Sequence, residues 1–259
     1  MAKGNSKLGG GGTTAPTATA PTNISNVPTN ATAMTDTQAD ALRDLQDSQY
    51  DANTTAAVKM YISNTDFDNQ GHSLSQTMNY LEEQGVDLNN MNVQAVNRKY
   101  GLHLTPNDVA SMQFTSNYMQ TAMHPLGQDT LLQRGAHDDM LKNTFGISDY
   151  SKMSTAQLKS QLVGQAFRND SYMSTSYDIK KNPFLSSSSG SGVSGGREIV
   201  YEIKAGKNTK CLFGAKKQSE IILGKGQNWK ITDVRDSGRT ATPRMGASKR
   251  QIIISIESF

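Results

Sequence analysis

The sequence predicts an α+β protein, and three observations carry that expectation. Amphipathic helix patterns occupy the chain from residue 36 to about 123, short strand-like segments dominate from residue 130 onward, and the two kinds do not alternate. Helices first and strands afterwards is an α+β order, whereas a parallel sheet with crossover helices needs alternation. With 259 residues the chain is ample for a sizeable core, as one large domain or as a domain with a long appendage. Its hydrophobic share of 35% and mean hydropathy of −0.57 are low for a fully globular chain, so part of it contributes nothing to a core.

From Gly4 to about Thr37 the residues are mainly Gly, Thr, Ala, Pro and Asn, a composition that buries too little apolar area to offset backbone entropy. Residues 1–37 therefore read as a disordered arm, 38–105 as a helical N-terminal region and 106–259 as the main, strand-rich domain. In the helical region Ala41, Leu42 and Leu45, then Ala57, Val58, Met60 and Tyr61, recur at spacings of three and four. Residues 73–83, with Leu74, Met78 and Leu81 on one face, predict a helix that stops near Gly85. Thr105-Pro106 opens a helix reaching about Met123, because threonine caps and proline suits the first turn.

Beyond His124-Pro125 the pattern changes. Residues 130–134 form a strand-like run stopped by Gly135, 154–162 a helix, 172–176 a short strand and 182–196 a Pro/Ser/Gly-rich loop. Residues 198–204, 220–223, 229–234 and 251–256 predict four further strands.

Net charge is only +3, too small to imply a polyanionic partner by itself. The single cysteine, Cys211, excludes an intramolecular disulfide and a CxxC metal knuckle, and its neighbours Leu212 and Phe213 mark it as a small buried hydrophobe. No apolar run is long enough to span a bilayer, and Lys3 and Lys7 are followed by no hydrophobic region, so neither a membrane anchor nor an ordinary signal peptide is expected. P-loop, dinucleotide-binding, metal and GxSxG patterns are absent; His72, His103, His124 and His137 are scattered without carboxylate or cysteine partners at ligand spacing.

Three short elements stand out as an ordered set: Leu131-Leu132-Gln133-Arg134-Gly135, Tyr172-Met173-Ser174-Thr175-Ser176, and Gln218-Ser219-Glu220 leading into Ile221-Ile222-Leu223. The set resembles the arginine, Ser-Thr-Ser and Gln-x-Glu signature of the ADP-ribosyltransferase exoenzymes, the bacterial toxin-like mono-ADP-ribosyltransferases. The intervening residues 162–167 and 199–207 look like that family's helix, glycine and strand before Ser-Thr-Ser and its strand and turn before the acidic loop. The resemblance covers roughly residues 107–259. It implies two packed, mainly antiparallel sheets flanked by helices, with NAD as substrate in the cleft between them and no metal.

The resemblance also implies the chemistry. Cleavage of the nicotinamide–ribose bond passes through an oxocarbenium-like cation, which a fixed carboxylate stabilises. Glu220 is the candidate for that role. Arg134, beside Gly135, would fork onto the NAD pyrophosphate. Ser174 would brace the pocket and hydrogen-bond the glutamate, Thr175 and Ser176 would support the strand, and Phe184 in the Asn182-Pro183-Phe184 loop would cover nicotinamide. Residues two apart on an extended segment share a face, so Gln218 and Glu220 would reach one reaction centre.

ADP-ribose would pass to a macromolecular acceptor. Glutamine rather than glutamate at 218 disfavours arginine as the modified residue, and Ala215, where Rho-modifying members carry an aromatic, disfavours Rho-type GTPases. Acceptor recognition falls to Gln218, Phe213, Lys216 and Lys217, the lysines favouring an acidic surface of a host protein or a nucleic acid. The alternatives are an NAD glycohydrolase, in which water is the acceptor, and an inactive structural or adaptor protein on the same scaffold. Delivery to a target-cell cytoplasm through a specialised secretion system or a phage particle is the expected route.

Overall fold

In the computed structural model the described residues are 30–63, 65–136, 139–178, 197–241 and 248–259. Most of the expected arm and the whole 182–196 loop, with Phe184, lie outside them. The last part of the arm is structured. Strand β1 (Thr32–Ala33) pairs in parallel with residues 130 and 131, and Met34 is buried in the main core. One buried methionine and a short ladder give this stretch an apolar anchor.

Helices α1 (Asp36–Asp47), α2 (Ala52–Tyr61), α3 (Leu74–Glu83), α4 (Val93–Tyr100) and α5 (Pro106–Ala122) follow. Each starts where a short polar side chain takes a free amide of the first turn: Thr35, Asp51, Ser73, Asn92 and Thr105 accept from the third helical residue. Thr35, Ser73 and Thr105 complete capping boxes with Gln38, Gln76 and Asp108. Helix α4 ends at Gly101, whose φ of 68° suits glycine.

The strands are β2 (His124–Pro125), β3 (Thr130–Ala136), β4 (Ala166–Arg168), β5 (Met173–Ser176), β6 (Ile199–Ala205), β7 (Lys210–Phe213), β8 (Glu220–Leu223), β9 (Asn228–Ala241) and β10 (Lys249–Ser258). Helices α6 (Asp139–Phe145) and α7 (Thr155–Leu162) lie between β3 and β4. The strands form one hydrogen-bonded path, β2-β7-β8-β5-β3-β6-β10-β9-β4, antiparallel except for β6–β10 and the added β1–β3 pair. The path narrows to a single pair, Gln133 opposite Ser176, between β3 and β5. That waist divides a four-stranded part from a five-stranded part, and both contribute to the main core: Met173, Phe213, Ile221 and Leu223 from one, Ile203, Ile231, Ile254 and Ile256 from the other.

A second core lies under the helices. Ala57, Tyr61, Met78, Leu81, Met112 and Met119 pack there with Tyr172, Leu212 and Ile222 from the four-stranded part. Each large apolar side chain buried in this way contributes roughly 1.5–3 kcal/mol. Apolar residues on both sides of the expected boundary at 105/106 belong to this one cluster, so the helices rest directly on strands β7 and β8 and on Tyr172 just before β5.

Candidate functional site

The waist of the sheet gathers the residues that the motifs singled out. Strand β5 lies between β8 and β3, with Ser176 opposite Glu220 on one side and opposite Gln133 on the other. Arg134 therefore stands on the strand next to Ser174, and its Nη1 donates to the Ser174 carbonyl oxygen at 3.2 Å. Thr175 and Ser176 are fully buried. The Thr175 hydroxyl donates to the Ile221 carbonyl at 2.7 Å, and the Ser176 hydroxyl donates to the Gln218 carbonyl at 3.3 Å. The first stitches β5 to β8; the second ties down the turn before Glu220.

That turn is a 3-10 helix, Lys216–Gln218, followed by Ser219 in the left-handed region at φ 50° and ψ 39°. Residues 218 and 220 are thus not two positions of one extended strand. The expectation that they share a face by strand alternation is replaced by a turn whose last residue is left-handed. Gln218 is half-buried, while Lys216 and Lys217 are exposed.

Glu220 opens β8 with 6% of its surface exposed. Its Oε2 accepts from the Ala215 amide at 2.9 Å, and its backbone closes a small loop with Gly214 and Ala215. The carboxylate lies against Gly214, where an added Cβ would come within 2.7 Å of Glu220 Cδ. Burial raises the Glu220 pKa above that of an ordinary glutamate, against the pull of the Ala215 amide, the Ser174 hydroxyl and the charges of Arg134 and Arg43. A desolvated carboxylate beside fixed donors and cations is preorganised to stabilise positive charge developing in front of it.

Helix α2 brings a residue that sequence reasoning left in the core. Tyr61 is 2% exposed, its hydroxyl accepts from Asn79 Nδ2 at 2.9 Å, and the groups acting on its phenol include Arg134, Glu220 and Ser174. Burial is the main cause of its raised pKa. Tyr201 on β6 stands opposite Arg134 on β3, and its buried hydroxyl has no hydrogen-bond partner among the described residues. The pattern at Tyr61 reads as helix packing, and nothing in the sequence distinguishes such a tyrosine from a core residue. Asn79 Oδ1 is likewise buried without a partner, so the neighbourhood of Arg134 holds unsatisfied polar atoms as well as a cation.

Phe213, expected on the acceptor side, is 4% exposed and packs in the main core, with the Arg43 guanidinium 5.5 Å above its ring. It supports the turn from within instead of meeting solvent. Lys216 pairs with Asp40 of α1 at 2.8 Å. Gly135 continues β3 beyond Arg134, opposite Val200. Burial pushes the Cys211 thiol up to about 12, which leaves it un-ionised and unreactive. His72 does have a carboxylate partner, Asp68 Oδ2 at 2.8 Å, four residues before it. Among the described residues no three His, Cys, Asp or Glu side chains are grouped to hold a metal, and no helix is long and apolar enough to cross a membrane.

The chain is thus α+β, with a buried glutamate and an arginine on the strands that flank the Ser-Thr-Ser strand. A family model described as ADP-ribosyltransferase exoenzyme matches residues 78–257, and the chain belongs to that family. It is a toxin-like mono-ADP-ribosyltransferase in family and fold. Among solved structures it is similar to C3stau2 from S. aureus, crystallised with NAD, at 17% identity and a TM-score of 0.54, covering 86% of this chain and 95% of that one. It is also similar to the C3 exoenzyme of Clostridium limosum, at 17% identity and a TM-score of 0.54, covering 87% and 95%. A third similarity is to the enzymatic component C2-I of the Clostridium botulinum C2-toxin, at 16% identity and a TM-score of 0.55, where 87% of this chain corresponds to 47% of that one. No curated protein matches the chain.

Proposed function

We propose that the protein cleaves the nicotinamide–ribose bond of NAD and transfers ADP-ribose to a macromolecular acceptor. The observation that carries this reading is Glu220: a buried carboxylate, fixed by the Ala215 amide, close enough to Ser174 and Arg134 for both to act on it. In the reaction the C–N bond breaks with its electron pair leaving on nicotinamide. The acceptor's nucleophilic atom bonds to the ribose carbon and gives up a proton. Glu220 stabilises the positive charge on the ribose, Ser174 braces Glu220, and Arg134 with Gly135 takes the pyrophosphate. Thr175 and Ser176 hold the strand and turn in place, and Phe184 is the candidate to cover nicotinamide. Gln218 with exposed Lys217 faces the acceptor, a host protein in the first instance and a nucleic acid as the alternative, while Lys216 is held by Asp40 and serves the turn.

The reading is tested with NAD labelled in its ADP-ribose part, incubated with the protein and a host lysate. Label on protein or nucleic acid supports transfer and names the acceptor class. Free ADP-ribose alone makes the protein a glycohydrolase, and unchanged NAD makes it an inactive scaffold. Arg134→Lys is expected to weaken NAD binding at least about tenfold, because an ammonium keeps the charge and loses the planar fork. Unaltered affinity by calorimetry would return Arg134 to a structural role.

Gln218→Glu separates two roles. An amide both donates and accepts hydrogen bonds and can align another amide or a base edge, whereas a carboxylate pairs best with a guanidinium. Hydrolysis of NAD is expected to stay within about tenfold, since Glu220 is untouched, while transfer to the native acceptor falls or shifts toward arginine. Equal collapse of both activities would place Gln218 in the NAD site.

A further inference from the structure

Helix α1 meets the segment before Gln218 at three successive points, all from one face. Its residues 40, 43 and 46 are spaced by three, so they line up along the helix. Asp40 Oδ2 holds Lys216 Nζ at 2.8 Å, and Asp40 Oδ1 holds Arg43 Nη1 at 3.0 Å. The Arg43 guanidinium lies over the Phe213 ring, and its Nε and Nη2 are shut away from solvent without a partner among the described residues. Gln46, 6% exposed, accepts the Phe213 amide at 3.1 Å and the Tyr50 hydroxyl at 3.0 Å through one oxygen.

The Gln46 contact has a topological reason. Strand β7 pairs with β2 only at Cys211 and Lys210, and β2 gives way to α5 at Ala122. Phe213 is thus left at the end of that ladder with a free amide on the β2 side, and a glutamine side chain from α1 supplies the missing acceptor. Ala39 and Leu42 seat the same helix in the main core, so its grip on residues 213–216 is fixed by packing as well as by charge. The charge of Arg43 is also among those acting on Glu220.

We propose that α1 is a positioning clamp: Asp40, Arg43 and Gln46 fix residues 213–216, and through them the Gln218 side chain, so that loosening the clamp diverts ADP-ribose from the macromolecular acceptor to water. The inference rests on the transfer reaction proposed above. None of the three residues touches substrate in this account; each acts through the turn. An exposed ion pair contributes little by itself, so the effect of the pair lies in register and not in stability. Reversing Asp40 sets a third cation beside Lys216 and Arg43 and pushes the turn away.

The experiment compares wild type, Asp40→Lys, Lys216→Asp, the Asp40→Lys/Lys216→Asp double variant and Gln46→Leu. For each, labelled ADP-ribose is counted on the acceptor and free in solution, and the KM for NAD is measured. Asp40→Lys and Gln46→Leu are expected to lower the ratio of transfer to hydrolysis about fivefold, the scale of one charge pair near a surface, with the KM for NAD unchanged. The double charge swap is expected to restore the ratio, a rescue that general destabilisation does not give. A wild-type protein that transfers, together with an unchanged ratio in both Asp40→Lys and Gln46→Leu, overturns the clamp. So does a swap that fails to rescue, or a parallel fall in both activities. A wild-type protein that neither transfers nor hydrolyses overturns the proposed function itself, and the clamp falls with it.

Discussion

Glu220→Gln is expected to lower turnover of NAD by about two to three orders of magnitude while the protein keeps its fold. The variant retains shape and an oxygen for the Ala215 amide, and loses the charge that meets the developing cation. Its stability follows from the direction of the pKa shift. The Glu220 pKa is raised in the folded protein, with burial as the main cause. A group of this kind contributes stability that is complete below its unfolded-state pKa and is lost as pH rises through its folded-state pKa. Ionised Glu220 therefore sits at a cost at neutral pH, and the variant is expected to melt no earlier than wild type there. Catalysis has the opposite pH dependence. The carboxylate is the working form, so kcat/KM is expected to fall as pH drops through the raised pKa, at a higher pH than for an ordinary glutamate. Turnover within tenfold of wild type would remove Glu220 from the chemistry.

The sequence exposes this residue because the motif order Arg134, Ser174, Glu220 survives in one chain even though each motif is short. Helix starts were equally readable, since Ser73, Thr105 and Ser154 are local signals that the structure uses as caps. Strand β9 was only half visible. Its first part shows buried Trp229, Ile231 and Val234, while the continuation through Arg235, Asp236 and Arg239 is polar and is carried by pairing with β10. Strand β7 is four residues long, and its apolar core reads as burial without declaring a strand. The contacts of Tyr61, Arg43 and Gln46 are illegible in the sequence for a different reason. Tyr61 comes to the neighbourhood of Arg134 and Ser174, and Arg43 and Gln46 to Phe213, from helices far away in the chain, and only tertiary packing reveals what they touch. Phe213 shows the converse: an aromatic beside the motif looked available to a partner and is instead inside.

Gly214→Ala is expected to have the second largest effect, about a hundredfold loss of turnover, although one methyl group is the whole change. Gly214 has no backbone need for glycine, since its φ is not among the positive ones. What requires glycine is space: a Cβ there would lie 2.7 Å from Glu220 Cδ and 2.9 Å from its Cγ. The carboxylate sits in a buried loop held by the Ala215 amide and cannot swing freely, so the crowding displaces it from its donors. Displacing a reacting group by about 1 Å costs on the order of a hundredfold in rate, whereas overpacking of this kind costs only about 1–3 kcal/mol of stability. The fold should therefore survive, with a modestly lower melting temperature and unchanged secondary structure by circular dichroism. The decisive measurement is a pair of backgrounds. If the methyl acts by moving Glu220, it should cost about a hundredfold in wild type and almost nothing further in Glu220→Gln, where the charge it displaces is already gone. Equal losses in both backgrounds would mean that alanine at 214 harms the protein by another route, and that the close approach of Gly214 and Glu220 is packing without catalytic consequence.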